Sequence, residues 1–307
     1  MKYVGLQQQI SANNTKSVLL LLSFPLLLLF TVWIVFFFLP SEAALQTSRV
    51  TFANEKFTTA LPYVLVATGL WFLIAWFSHS AIIKAATRSV SLSRKDNKRV
   101  YNLVENLCIS QGMKIPKINI IASDALNAFA SGINDQTYAI TLTMGIIETL
   151  NDDELEGVIA HELAHIRNRD VRLLIISIIF VGIFSFALNA ALRSSYYGGN
   201  RKKDGRLLLI IFIVSAIAYL LSVLFKLSLS RKREYMADAA GAAMTRKPWA
   251  LAGALRKISG NHQINIIKNK DVASLFIHYK PLKSSAISHI FATHPPIEKR
   301  IQLLEQF

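Results

Sequence analysis

Four long apolar blocks interrupt a sequence of 307 residues that is otherwise rich in polar and charged positions. The blocks run over residues 18–39, 61–83, 173–191 and 207–225. Each has about 19 to 23 residues, enough for a helix to cross a hydrocarbon core of about 30 Å. The pattern therefore predicts four transmembrane helices in two hairpins. The first block is longer than the apolar core of a signal peptide, about 7 to 15 residues, so we expect an uncleaved anchor.

Between and after the two hairpins, the apolar periodicity changes to that of a soluble domain with helices and a small sheet. The predicted elements are helices over Asp96–Ser110, Asp152–Asp170, Glu234–Met244 and Ile297–Glu305, and strands over residues 117–122, 127–131 and 137–143. The predicted organisation is an N-terminal hairpin (1–90), the first part of the soluble domain (91–170), a second hairpin (171–229) and the second part of the soluble domain (230–307).

The formal net charge of +15 comes largely from lysines and arginines that flank the apolar blocks. This placement is typical of juxtamembrane segments facing anionic lipid, and no nucleic-acid motif accompanies it. Among the basic residues that flank the apolar blocks, a four-crossing arrangement places fourteen on the side of the central stretch and tail, and seven on the other side. The count predicts a cytoplasmic soluble domain, although the basic loop 193–206 counts against it. The single cysteine, Cys108, excludes an internal disulfide.

Candidate chemistry is concentrated in the sequence HELAH, which runs from His161 to His165. On a helix these two histidines share one face, where both can bind one zinc ion. Glu162 lies beside the ligands and can act on a water molecule instead of binding the metal. The alternative is that two helical histidines merely flank a surface glutamate.

A catalytic zinc usually takes a third protein ligand and keeps one position open. Glu234, just after the fourth apolar block, is the best candidate, and Asp238 lies four residues on, where it can orient a ligand histidine. Glu234 follows His165 by 69 residues. The intervening hairpin would bring the two ligand helices together and hold the metal roughly 10 Å from the bilayer. A solvated helix face is the alternative for Glu234 and Asp238.

The sequence resembles the HtpX-like membrane zinc metalloproteases, which are related to the CAAX prenyl proteases. The matching segments are NAFASG, HELAHIRNRDV, REYMADAAG and THPPIEKRI, in this order around the apolar blocks. The resemblance implies one zinc ion per subunit, bound by His161, His165 and Glu234, with Glu162 as the base. It also implies an edge strand for peptide substrates at Asn127, Ala128, Phe129 and Ala130, and oxyanion stabilisation by His294 and Arg300.

These observations and the resemblance together imply a mainly α membrane protein with a zincin-like α+β domain, acting as a zinc metalloendopeptidase in the inner membrane of a bacterium. The expected substrates are peptides or membrane proteins, in membrane protein quality control or a stress response. Two alternatives stay open. One is an intramembrane protease, although residues 161–170 are polar and the apolar run begins only after them. The other is a catalytically inactive scaffold or chaperone, although no expected catalytic residue is missing.

Overall fold

The computed structural model describes residues 6–39, 48–179, 231–260 and 295–306, with a few isolated helical residues between 182 and 217. We number the helices α1 (Leu6–Phe38), α2 (Arg49–Thr87), α3 (Lys98–Ser110), α4 (Met144–Thr149), α5 (Asp152–Arg167), α6 (Arg231–Thr245), α7 (Pro248–Gly260) and α8 (Ile297–Leu304). The strands are β1 (Val90–Ser91), β2 (Lys117–Ile121), β3 (Ala128–Ser131) and β4 (Ala139–Thr143).

The described residues divide into two compact units. One unit takes its residues from 1–15, 79–175 and 227–307, and the other from 16–78 and 176–226. The first contains the sheet and the predicted metal ligands, and the second contains most of the apolar helices. The predicted four-segment organisation, with its boundaries at residues 90, 170 and 229, stays a prediction.

The apolar unit contains one helix, α2, that is long and apolar enough to cross a membrane, among the residues that the structure describes. Large side chains such as Tyr63 and Phe77 are exposed along it, as expected of a helix that faces lipid. The apolar stretch of α1, Leu22–Phe38, is shorter. The third and fourth predicted spans lie mostly outside the described residues, so the four-span arrangement stays a prediction.

The sheet of the other unit has the strand order β1-β2-β4-β3. β2 and β4 run parallel, whereas β1 and β3 pair antiparallel with their neighbours. The three predicted strands are present with slightly shorter bounds, and the two-residue strand β1 is an addition. In the part of the chain that is described, β3 forms an edge of the sheet, and all five residues of the central strand β4 are buried.

Helix α5 carries the HELAH sequence and begins with a capping box. The Asn151 side chain accepts from the backbone N–H of Glu154 at 2.9 Å, and the Glu154 carboxylate accepts from the N–H of Asn151 at 3.0 Å. Such a cap satisfies two backbone donors that have no partner within the helix, and a cap of this type stabilises a helix by about 1 kcal/mol. The N-terminus predicted at Asp152 is therefore confirmed.

The C-terminus of α5 was predicted wrongly. The helix ends at Arg167 and does not continue to Asp170. The reason is a left-handed backbone conformation at Arg169, with φ +59°, which stops the helical hydrogen-bond series. A new helical segment starts at residue 170 and is described to residue 179. The ligand helix is thus separated by a turn from the segment that leads into the third apolar block.

Helices α6 and α7 pack against α5 at two glycines. An added Cβ at Gly241 of α6 would lie 3.1 Å from the backbone nitrogen of His161, and one at Gly157 of α5 would lie 3.1 Å from that of Leu251 in α7. Because glycine has only a hydrogen atom as its side chain, the helix backbones can approach closely at these two positions. The predicted helices at α3, α6 and α8 are present with ends shifted by at most three residues. Helix α7 was not predicted.

Candidate metal centre

The two motif histidines lie one turn apart on the same face of α5. Their Nε2 atoms are 3.2 Å apart, and the two rings stand almost perpendicular to each other. Two nitrogens bound tetrahedrally to one zinc ion at 2.0–2.1 Å would lie about 3.3 Å apart. The spacing of His161 and His165 therefore already fits a shared zinc ion.

Glu234 approaches the same point from the first turn of α6. Its Oε2 lies 3.8 Å from Nε2 of His161, and its Oε1 lies 3.5 Å from Nε2 of His165. One ligand atom from each of the three residues lies within 4.8 Å of the other two. Two histidines and one carboxylate form a donor set that a catalytic zinc commonly uses, with one position open for water or substrate. The structure thus brings together the three predicted ligands, and their chemistry fits zinc.

Glu162 is buried beside this group and is only 3% exposed. Burial raises the pKa of its carboxyl group, electrostatic interactions with His161 and His165 lower it, and the interaction with Glu234 raises it; the net change is upward. A backbone hydrogen bond from Ala130 acts in the opposite direction. A carboxylate with a raised pKa accepts a proton more readily than an exposed one, which is the property required of a general base.

Asp238 and Arg300 both lie against His161, and Arg300 also contacts Glu234. Nδ1 of His161 is 3.0 Å from Oδ1 of Asp238. Arg300 donates to both oxygens of that carboxylate, from Nε at 2.8 Å and from Nη2 at 2.7 Å. Its Nη1 lies 3.4 Å from Oε2 of Glu234. Burial alone would raise the pKa of Asp238, but the charge and hydrogen bonds of Arg300, with those of His161, lower it to about 2.

Sequence reasoning missed the equivalent partner of His165. Nδ1 of His165 lies 3.2 Å from Oδ2 of Asp170, which is 3% exposed. Burial would lower the pKa of His165, but the hydrogen bond to Asp170 and the charge of Glu234 raise it to about 9. The available signal was an acidic residue directly before an apolar block, where a charge needs a partner.

The edge strand β3 presents backbone groups on its outer side. The N–H of Thr143 donates to the carbonyl of Asn127 at 3.1 Å, so the 127–143 pair is a hydrogen-bonded one. Along an antiparallel ladder, hydrogen-bonded residue pairs alternate with pairs that are not hydrogen-bonded. The backbone N–H and C=O groups of Ala128 and Ala130 therefore point away from β4. The hydrogen bond from Ala130 to the motif glutamate agrees with this alternation. The outer edge of β3 therefore runs beside the candidate metal centre.

The other residues predicted for substrate binding and catalysis differ in what they contact and in whether the structure describes them. Asn127 and Phe129 are buried, and Oδ1 of Asn127 accepts from the backbone N–H of Ala128 at 3.0 Å. Arg300 is 1% exposed and lies against the ligand group. Its burial was not predicted from the sequence. His294 lies outside the described residues. The individual roles assigned to these residues stay predictions.

Comparison with known proteins gives the family. The sequence matches the family model described as "Peptidase family M48" over residues 94–307. The chain belongs to peptidase family M48. Within this family it is similar to the "Protease HtpX homolog" of Bacteroides fragilis (strain YCH46), with 55% identity over 323 residues and all of both chains covered. It is 34% identical over 311 residues to the "Protease HtpX homolog" of Lactobacillus acidophilus, covering 98% of this chain and 99% of that relative. The resemblance to HtpX-like proteases is confirmed.

The M48 chain also shares its fold with a solved structure, described as "Crystal Structure of S. mikatae Ste24p". The TM-score is 0.50 at 19% sequence identity, and the match covers 82% of this chain and 60% of the other. The chain thus spans about three fifths of the length of that structural neighbour. The shared part supports a mainly helical fold with a small mixed sheet.

Proposed function

We propose that this M48 chain is an integral-membrane, zinc-dependent endopeptidase. The observation that carries the proposal is the arrangement around Glu162, which lies between the ligand group His161–His165–Glu234 and the outer edge of β3. A metal site, a base with a raised pKa and a peptide-binding edge are the three parts that hydrolysis of a peptide bond needs. The domain that contains them would be zincin-like.

Bound zinc supplies a Lewis acid that polarises a peptide carbonyl and makes a neighbouring water molecule easier to deprotonate. An extended peptide would pair with the outward-facing backbone groups of Ala128 and Ala130, which aligns its scissile bond with the ligand group. Glu162 would take a proton from the attacking water and pass it to the leaving amine. In this proposal, His294 or Arg300 stabilises the negative charge that develops on the carbonyl oxygen.

We further propose the membrane arrangement that the apolar blocks suggest. Four spans in two hairpins would place residues 91–170 and 230–307 on the same side, and the basic residues favour the cytoplasmic side of a bacterial inner membrane. A site next to the bilayer suits membrane proteins as substrates, with quality control as the cellular role. The apolar, exposed surface of α2 supports contact with lipid.

The decisive experiment compares purified wild-type protein with the Glu162→Ala variant. Both should contain one zinc ion per chain, because Glu162 lies beside the ligands and is not one of them. Only the wild type should cleave casein and a membrane-protein substrate. A wild type that contains zinc but cleaves nothing would favour an inactive scaffold. Cleavage confined to transmembrane segments, with casein untouched, would favour an intramembrane protease.

A further inference from the structure

His165 contacts a buried carboxylate that has no role in the mechanism proposed above. Nδ1 of His165 lies 3.2 Å from Oδ2 of Asp170, whose side chain is 4% exposed. Nδ1 is the ring nitrogen opposite the one that faces Glu234. When Nδ1–H donates to a carboxylate, the proton is fixed on that nitrogen, and Nε2 keeps the lone pair that a metal needs.

The backbone is bent to make this contact. On an uninterrupted helix, a residue five positions after His165 would point about 140° away from it around the axis. The turn between α5 and residue 170 changes the direction of the backbone, so that the Asp170 side chain can contact His165. The turn requires φ +59° at Arg169, a conformation that costs a non-glycine residue about 1–2 kcal/mol. Strained backbone of this kind is often retained at functional sites.

Arg233 contacts the carboxylate oxygen of Asp170 that does not face His165. Its Nη1 lies 3.8 Å from Oδ1 of Asp170 and donates to the backbone carbonyl of the same residue at 3.4 Å. The Arg233 side chain is only 13% exposed, so its charge is poorly screened by water. It directly precedes Glu234 on α6. The same helical turn therefore supplies the third candidate ligand and the cation that holds the partner of the second.

The two motif histidines thus have matching surroundings. Nδ1 of His161 contacts Asp238, which Arg300 holds. Nδ1 of His165 contacts Asp170, which Arg233 holds. Each pair consists of a buried carboxylate next to the ring Nδ1 and an arginine that balances the carboxylate charge. The second pair comes from chain segments 63 residues apart.

We propose that Asp170, held by Arg233, is a positioning residue that keeps His165 in its metal-binding tautomer and orientation. The inference rests on the proposed zinc site. It adds the condition that zinc binding depends on the contact between Asp170 and Arg233. Asp170 lies just before the segment predicted to form the second hairpin, and Arg233 lies just after it. His165 is therefore held correctly only when the two ends of this segment meet.

The test is a zinc-affinity measurement on the purified full-length protein, by competition with a chromophoric chelator. Loss of a partner that orients a metal ligand typically costs about 10- to 100-fold in metal affinity, and we expect a loss in this range for Asp170→Ala. Asp170→Asn should lose less, because its amide oxygen still accepts the ring N–H. Arg233→Lys should retain more affinity than Arg233→Met, because lysine keeps the positive charge next to Asp170.

Glu154→Gln provides the matched control. Glu154 also lies on α5, is 8% exposed and pairs with Lys257 at 2.7 Å, but it caps the other end of the helix. This variant should be less stable in thermal unfolding while binding zinc as the wild type does. The visible absorption of the Co²⁺-loaded protein should change in Asp170→Asn and stay unchanged in the control, because the spectrum reports ligand geometry.

The possible outcomes separate this inference from the proposed function. Equal zinc affinity in the wild type and Asp170→Ala would overturn the inference and leave the zinc site in place. An equal loss of affinity in Glu154→Gln would also overturn it, because general loosening of α5 would then explain the effect. A wild type that binds no zinc would remove the proposed function and the inference together.

Discussion

Replacement of Gly241 by alanine tests whether close packing of α6 on α5 sets the geometry of the metal centre. Gly241 lies seven residues after Glu234 and three after Asp238, so all three share one helical face. The added methyl group would lie 3.1 Å from the backbone nitrogen of His161 and 3.2 Å from its Cα. Ordinary contacts of such a carbon begin at 3.4 Å. The two helices must therefore separate by a few tenths of an ångström.

The expected magnitude follows from two opposing effects. Alanine in place of glycine within a helix normally stabilises it by about 0.8–1.0 kcal/mol. Overpacking against a backbone that cannot rotate away typically costs about 1–3 kcal/mol. The net result is a destabilisation of up to about 2 kcal/mol. The same separation lengthens the 3.0 Å contact between Asp238 and Nδ1 of His161, so zinc affinity should fall as well.

Thermal unfolding of the purified protein, with and without zinc, measures both effects. A loss of 1 kcal/mol lowers the midpoint by about 2–4 °C in a domain of about 150–250 residues. Gly260→Ala is the control, because an added Cβ there meets no atom within 4 Å. If Gly241→Ala unfolded at a higher temperature than the wild type, as an uncrowded helical position would, the close-approach reasoning would be refuted.

Three further predictions concern the ligand assignment, the lone thiol and the topology. Glu234→Gln should lose at least about 10- to 100-fold in zinc affinity and Asp238→Asn less; a zinc titration that ranks them in reverse would exchange their roles. Burial raises the pKa of Cys108 to about 11, so only about one thiol in a thousand is ionised at pH 8. N-ethylmaleimide should therefore label native Cys108 far more slowly than unfolded protein, and equal rates would contradict its burial. In a Cys108→Ala background, cysteines at Gly199 and Gly260 should be labelled from opposite sides of the membrane in intact cells, and labelling from one side would contradict the hairpin topology.

The ligand helix was predictable because its signals are local. The spacing of His161 and His165 and the acidic first turn lie within 14 residues of sequence. Glu234 could be selected because the apolar blocks allowed a distant segment to return to the same place. Helix α7 was missed but could have been predicted, because Pro248 at its first residue and Gly260 at its last are ordinary boundary signals.

The turn after α5 could not be predicted, because its causes lie far away in the sequence. No glycine or proline marks residues 168–170. Arg169 instead donates to Oδ1 of Asn14 at 3.0 Å, across 155 residues, and Asp170 contacts Arg233 across 63. The order of the strands in the sheet could not be predicted either, because it also depends on contacts between distant parts of the sequence. Periodicity identified the strands, but it does not indicate that β2 and β4 pair directly and leave β3 at the edge.

The backbone N–H of Ala130, which donates to Glu162, is also a group with which an extended peptide at the β3 edge would pair. While the edge is free, that donor stabilises the ionised carboxylate and weakens it as a proton acceptor. An arriving strand would draw the N–H toward its own carbonyl oxygen. Pairing of a peptide at this edge and hydrogen bonding to Glu162 would therefore compete for the same backbone donor.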